Sequence, residues 1–250
     1  MSAPLRVQDA ALTHVGLIRS ENEDSMASLA GQGVWLVADG MGGHSHGKFA
    51  SQTITAVLHE MAPAIDPARP WESVAQAIHE ANRRIFARSG ELGKQMGSTV
   101  VVLVLHDQQF SVLWAGDSRA YLLRDGELYQ LTRDHTQVEM MLERGLLTPQ
   151  EAADHPMKHV LARAVGVQET LELDAIQDAT APHDVFMLCS DGLYGVVNDW
   201  QIAKMLREQG AGAGDALIAA ALAGGGPDNV TVSLVAVQEP TLLVLNGVER

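Results

Sequence analysis

Four times in this chain an apolar run meets an aspartate at a glycine-, serine- or proline-marked turn. Val34 to Ala38 runs into Asp39-Gly40-Met41-Gly42-Gly43-His44, Trp114-Ala115 into Gly116-Asp117-Ser118, and Leu188-Cys189 into Ser190-Asp191-Gly192. Gly226-Pro227-Asp228-Asn229 opens onto the run from Val230 to Val237. Apolar runs bounded by turn residues read as buried strands, so each carboxylate falls at a strand end or tight turn, where the backbone holds a short side chain rigidly. Carboxylates gathered from distant parts of a chain repel one another unless a cation sits among them. Hard divalent cations such as Mg²⁺ and Mn²⁺ prefer oxygen donors, so such a cluster without cysteine or a histidine pair points to them rather than to zinc.

Taken in order, Ala11 to Ile18 reads as a strand, Arg19 to Asp24 as a polar turn, and Val34 to Ala38 as the next strand. That order brings Arg19, Glu23, Asp24 and Asp39 together. Helical spacing follows in Phe49, Ala50, Ile54, Val57, Leu58 and Met61, and again in Trp71, Val74, Ile78, Ala81 and Ile85. Thr99 to Leu105 is apolar on both alternating faces, which suits a strand between two layers. Phe110 to Ala115 turns back on it, and Ala120 to Arg124 and Glu127 to Leu131 flank Asp125-Gly126, a pair favoured in two-residue hairpin turns. Residues 134–166 are polar and punctuated, which predicts a mobile cover over the site. Strands at Leu171 to Ile176, Val185 to Cys189 and Val230 to Val237, with helices at Asp199 to Glu208 and Asp215 to Leu222, complete the pattern. Thr241 to Leu245 could add an edge strand within a C-terminal extension, 238–250. Antiparallel meanders with helix pairs between them indicate an α+β layered fold, and the even spread of apolar segments favours one domain over 1–250.

Composition excludes several functions. A formal net charge of −14 without any Lys/Arg run argues against a nucleic-acid partner. The longest uninterrupted aliphatic run, Val100 to Leu105, is far short of a membrane span, and the N-terminus carries no apolar signal core, so the chain is expected in the cytoplasm. The single cysteine, Cys189, permits no internal disulfide. Its neighbours supply no basic cradle to lower its pKa, so it reads as a small buried hydrophobe, not a nucleophile.

Together Arg19-Ser20-Glu21-Asn22-Glu23-Asp24, Asp39 to His44, Gly97-Ser98-Thr99, Ala115-Gly116-Asp117-Ser118-Arg119, Ser190-Asp191-Gly192-Leu193 and Pro227-Asp228-Asn229-Val230-Thr231 resemble the motifs of the metal-dependent type 2C protein phosphatases, bacterial branch. The motifs run in register from about Thr13 to Val237. The resemblance implies a four-layer α-β-β-α sandwich with two stacked antiparallel sheets, flanking helices and a variable flap at 134–166. It implies two Mn²⁺ or Mg²⁺ ions, with Asp39 bridging them beside the Gly40 carbonyl. Asp191 and Asp228 complete one metal, Glu23 supports the other and Asp24 stands behind it. Asp117 shares a third cation with Asp191. The implied activity is hydrolysis of Ser/Thr phosphates on phosphoprotein substrates, opposing a Ser/Thr kinase, by a monomer. A catalytically silent phosphoprotein-binding regulator and a small-molecule phosphoesterase are the alternatives; a silent member should have lost a bridging carboxylate.

Arg19 is the candidate phosphate clamp, because a guanidinium fork matches two phosphate oxygens where lysine offers a point charge. Asp117 has a plainer reading as a turn residue, Asp134 reads either as a helix cap or as a residue near the site, and Ser98 and Thr99 read as packing residues. Asn229 is expected to orient Asp228, and Asp154 is a weaker candidate for the third cation. Eukaryotic members place a histidine two residues after the bridging aspartate; here that residue is Met41, whose thioether donates no proton. His44, with an ordinary imidazole pKa of about 6.5, is the nearest replacement as general acid, against the alternative that it caps the following helix. His155 and His159 have metal-ligand spacing, but Pro156 interrupts their helix, which disfavours a zinc hydrolase. The absence of G-x-x-x-x-G-K-[ST] disfavours a nucleotide loop.

Overall fold

The computed structural model describes residues 6–43, 45–153 and 155–238. The chain opens with β1 (Arg6–His14), β2 (Asp24–Leu29) and β3 (Val34–Met41), then α1 (Ser45–Met61) and α2 (Pro70–Leu92). A meander follows: β4 (Gly97–Ser98), β5 (Val100–His106), β6 (Gln109–Ala115), β7 (Arg119–Arg124) and β8 (Glu127–Gln130). The short helices α3 (Gln137–Glu143) and α4 (Pro149–Ala153) lead to β9 (Asp174–Ala179) and β10 (Val185–Cys189). Helices α5 (Asp191–Tyr194), α6 (Asp199–Gln209) and α7 (Gly214–Ala223) precede β11 (Val230–Gln238). One sheet has the order β1-β11-β10-β7-β8 and the other β2-β3-β5-β6-β9 with β4 beside β3. Every pairing is antiparallel.

The period-2 alternation of strand side chains explains the layering. In β3, Val34, Leu36 and Ala38 point outward against Ile54, Val57 and Leu58 of α1 and Ile78 and Ile85 of α2. Trp35 and Val37 point the other way, into a layer between the sheets shared with Phe110, Leu122, Phe186 and Val235. Likewise Val185, Met187 and Cys189 of β10 face Ile202 and Leu206 of α6 and Leu217 of α7, while Phe186 and Leu188 face inward. Both faces of the central strands are therefore apolar, as the run Val100 to Leu105 predicts. Phe110 and Phe186 meet edge to face across the sheets at 5.0 Å, a contact worth about 0.5–1.5 kcal/mol beyond its buried area. The buried Trp35 indole N–H reaches the other sheet at Asp9 Oδ2, 2.9 Å away. This is the expected four-layer α-β-β-α sandwich.

Local signals account for the boundaries. Pro70 starts α2 and Gly93, at φ +60°, ends it. Asn198 and Gln201 form a reciprocal capping box on α6. Asp125 and Gly126 both have positive φ, as a two-residue hairpin turn requires. Three expectations shift. The first strand ends at His14 and not at Ile18, because the chain bends away at Gly16, φ +83°. A strand with no apolar signature, β2, occupies Asp24–Leu29 at a sheet edge, so the stretch read as the second strand is the third. The strand expected at Leu171 to Ile176 is Asp174–Ala179, since Leu171 and Leu173 pack instead into the helix-covered core. Thr241 to Leu245 and the rest of the extension beyond Gln238 lie outside the described residues. The 134–166 segment leaves and rejoins the core at neighbouring points, through bridges Thr136 to Leu161 and Ser98 to Val165.

Candidate metal and phosphate site

The inward parity that buries Trp35 and Val37 carries on to Asp39, where the inter-sheet layer opens at one end. Asp24 is the residue directly opposite Asp39 on β2. Beyond it Gly40 donates its N–H to the Glu23 carbonyl at 3.2 Å. A Cβ on Gly40 would stand 2.1 Å from the Gly47 carbonyl oxygen, so only glycine lets the first turn of α1 close on the end of β3. Asp191 follows β10 as the first residue of α5, and Gly192 beside it leaves room for the Asn229 carbonyl, 1.9 Å from where a Cβ would be. The first approach seats α1 on the strand that carries Asp39, and the second brings the Asp191 and Asp228 segments together.

Arg19, Glu23, Asp39, Gly40, Asp117, Asp191 and Asp228 line one cavity of about 1340 Å³, with residues of the 134–166 segment forming its far wall. Asp24 stands behind them, 7% exposed. Its Oδ2 accepts the hydroxyls of Ser190, 2.8 Å, and Thr231, 2.6 Å. Its Oδ1 is buried and has no hydrogen-bond partner among the described residues. Asp228 accepts Arg19 Nη2 on Oδ2 at 2.7 Å and the Asn229 N–H on Oδ1 at 2.8 Å. The Asn229 side chain does not orient Asp228, contrary to expectation. It stitches down the loop before Glu23, accepting the Glu23 N–H at 2.7 Å and donating to the Val15 and Glu21 carbonyls.

The electrostatics are those of crowded acids. Burial first, then the charges of Asp24, Asp191, Asp117 and Asp228, holds the Asp39 carboxyl well above the ordinary carboxylate range. Burial and the charge of Asp228 raise Asp191, so that carboxyl too is held above the ordinary range. Burial pushes Asp24 up to about 7, against the two hydroxyls that favour its charge. Burial and Asp191 push Asp117 up to about 8. The Asp228 contact in turn raises the Arg19 guanidinium. Among the described residues no three such side chains already stand as a finished metal cage. As they stand, Asp228 turns to Arg19 while burial and neighbouring carboxylates disfavour the charged forms of Asp39 and Asp191, so cation charge is what would suit this donor set. The all-oxygen donors, their mutual repulsion and the orphaned Asp24 oxygen fit Mn²⁺ or Mg²⁺.

Residues given no chemical role in the sequence complete the site. Asp134 is not the helix cap but stands near the site, lining the cavity, where it takes a two-pronged contact from Arg119, 2.9 Å and 2.7 Å, while Thr136 caps α3. The Arg119 guanidinium lies 3.6 Å above the ring of Tyr194, whose hydroxyl donates to the Asp117 carbonyl at 2.9 Å. His159 lines the cavity, near enough to Asp191 to favour its charge. His135 stacks on Trp114. Cys189 is fully buried, and burial raises its thiol pKa, which makes it inert. His44 and Asp154 lie outside the described residues.

The profile of the family described as protein phosphatase 2C matches residues 19–223. The chain belongs to that family. It is 38% identical over 227 residues to the serine/threonine protein phosphatase PstP of Mycobacterium tuberculosis, covering 89% of this chain and 43% of that protein. The chain therefore spans less than half the length of that relative. It is 35% identical over 234 residues to the serine/threonine phosphatase stp of Listeria monocytogenes, covering 89% and 93%. The solved catalytic domain of PstP in complex with two manganese ions superposes with a TM-score of 0.84 at 34% identity, covering 94% of this chain and all of that one.

Proposed function

We propose that this chain is a metal-dependent phosphatase that removes phosphate from serine and threonine residues of proteins. The observation that carries the reading is the convergence of Asp39, Asp117, Asp191 and Asp228 on one cavity with Arg19 at its mouth. The relatives named above are serine/threonine phosphatases, and one of them is solved with two manganese ions. In this reading Asp39, the Gly40 carbonyl, Asp191, Asp228 and Glu23 hold two divalent cations, and Asp117 with Asp191 holds a third. When bound, such cations neutralise phosphate oxygens and activate water for in-line attack.

The chain's own residues do the rest. Asp39 lies on a strand end fixed by backbone bonds and changes position little as charge develops. Behind Asp39, Asp24 ties β2 to the other sheet through the hydroxyls of Ser190 and Thr231. Arg19 must leave Asp228 to clamp the substrate phosphate. Its present pair is more than half exposed on the Arg19 side, and such pairs contribute only about 0–1 kcal/mol, less than a charge-assisted bond to phosphate gains at about 1.5–3 kcal/mol. The exchange is favourable.

Substrates are phosphoproteins modified by an opposing Ser/Thr kinase, and the enzyme acts as a cytoplasmic monomer with segment 134–166 as its cover. Support comes from the candidate residues, all supplied by one chain, and from the described residues, which contain no helix long and apolar enough to cross a membrane. Hydrolysis of a phosphothreonine peptide with added Mn²⁺ tests the reading. Turnover should vanish with a chelator and return with excess Mn²⁺. Binding of the peptide without turnover would favour a regulator, and turnover of small phosphate esters alone would favour a small-molecule phosphoesterase.

A further inference from the structure

Thr99 sits between β4 and β5, 2% exposed, and grips the Asp39 peptide from both sides. Its N–H donates to the Asp39 carbonyl at 2.8 Å, and its Oγ1 accepts the Asp39 N–H at 3.0 Å. The same Oγ1 lies 2.6 Å from Oγ of Ser118, which is 1% exposed and directly follows Asp117. The turn carrying Asp117 is laid flat on Thr99: a Cβ on Gly116, φ +110°, would fall 2.6 Å from Thr99 Cβ. From the other side Tyr194, the last residue of the helix that begins at Asp191, donates its hydroxyl to the Asp117 carbonyl at 2.9 Å. The Asp117 turn is thus fastened to the backbone that carries Asp39 and to the helix that carries Asp191.

Packing alone would not select this hydroxyl. Thr99 borders the apolar run Val100 to Leu105 of β5, where valine would fill the same space and a hydroxyl costs free energy unless its bonds are made. We infer that Thr99 is a positioning residue whose hydroxyl, shared between the Asp39 N–H and Ser118, sets the spacing of the Asp39 and Asp117 carboxylates. It touches no reacting atom. Its bonds are neutral, so they hold repelling carboxylates in place without competing for the cation charge. The inference rests on the metal-dependent reading above.

The test is Mn²⁺ titration calorimetry with steady-state kinetics on wild type, Thr99→Val and Thr99→Ser. Thr99→Val should bind Mn²⁺ about tenfold more weakly and lose about tenfold in kcat, with KM for a phosphopeptide within about twofold, the scale of one buried hydrogen bond. Thr99→Ser keeps the hydroxyl and should stay within about threefold of wild type in both. Wild-type Mn²⁺ affinity in Thr99→Val overturns the inference. So does a Thr99→Ser as impaired as Thr99→Val, because the methyl group would then be what matters. Should circular dichroism show Thr99→Val unfolded, Ser118→Ala cuts the same bond and leaves the grip on Asp39 intact. Weaker Mn²⁺ binding by Ser118→Ala then supports the inference, and unchanged binding overturns it. A wild type that neither binds Mn²⁺ nor hydrolyses phosphopeptides overturns the functional reading and this inference with it. A competent wild type beside an unchanged Thr99→Val overturns this inference alone.

Discussion

Asp24 and Asp39 stand directly opposite each other across the antiparallel pair β2–β3, two carboxylates in a position where like charges destabilise a sheet. The fold tolerates the pair because Ser190 and Thr231 hydrogen-bond one member, while burial and neighbouring carboxylates favour the neutral form of the other. Stability has been given up at this end of the sandwich for the sake of its chemistry, and that exchange can be measured.

Replacing Asp39, Asp191 or Asp228 by asparagine should abolish Mn²⁺-dependent phosphatase activity while leaving the fold intact. Asp39→Asn relieves a like-charge pair, so in chelator its melting temperature should equal or exceed wild type, by about 1–3 °C if relief is worth up to about 1 kcal/mol. Circular dichroism melts check this. A variant that loses both activity and fold would return that aspartate to a structural role.

The stability of chelator-treated protein should fall as pH rises. The folded-state pKa values of Asp24, about 7, and Asp117, about 8, are raised, as are those of Asp39 and Asp191. A raised carboxyl pKa means that the folded state binds protons the unfolded state has released. Its contribution is complete below the unfolded value of about 3.9 and is lost as pH climbs through the folded value. Melting temperatures in chelator should therefore decline from pH 5 to pH 8.5. Saturating Mn²⁺ should flatten or reverse the trend, since cation binding needs the charged forms. A chelator series that rises with pH would contradict the assigned environment.

Arg19→Ala should act mainly on phosphate engagement, lowering kcat/KM for phosphopeptides by the equivalent of about 1.5–3 kcal/mol. Arg19→Lys should recover only part of this, because a lysine cannot make the two-oxygen fork. Thermal stability should change little, given the exposure of the Arg19–Asp228 pair. Unchanged kinetics in Arg19→Ala would leave Arg19 as a surface cation that merely occupies Asp228.

His44→Ala should slow phosphopeptide hydrolysis at least tenfold and hardly change p-nitrophenyl phosphate turnover. An alkoxide leaving group needs a proton where nitrophenolate does not, and a general acid contributes about 10²–10⁴-fold. Equal slowing of both substrates would make His44 structural. His159, which lines the cavity across from Asp191, is then the next residue to replace.

The alternation in Val34 to Asp39, the two-sided apolar run at Val100 to Leu105 and the helical spacing of Ile54, Val57 and Leu58 were enough to define the layers. The turn chemistry at Gly40, Gly116, Gly192 and Pro227 was enough to mark the four aspartates as rim residues. These are local properties, written in the spacing of residues that act through their immediate neighbours. Strand β2 escaped because an edge strand of Ser25, Ala27 and Ser28 buries too little apolar surface to leave a pattern. The engagement of Asp134 with Arg119, the Tyr194 bond to Asp117, the Asn229 stitches and the Thr99 hydroxyl were equally hidden. Each joins residues far apart along the chain, and each owes its meaning to which atoms face one another once two sheets have stacked, a condition that only the assembled core imposes.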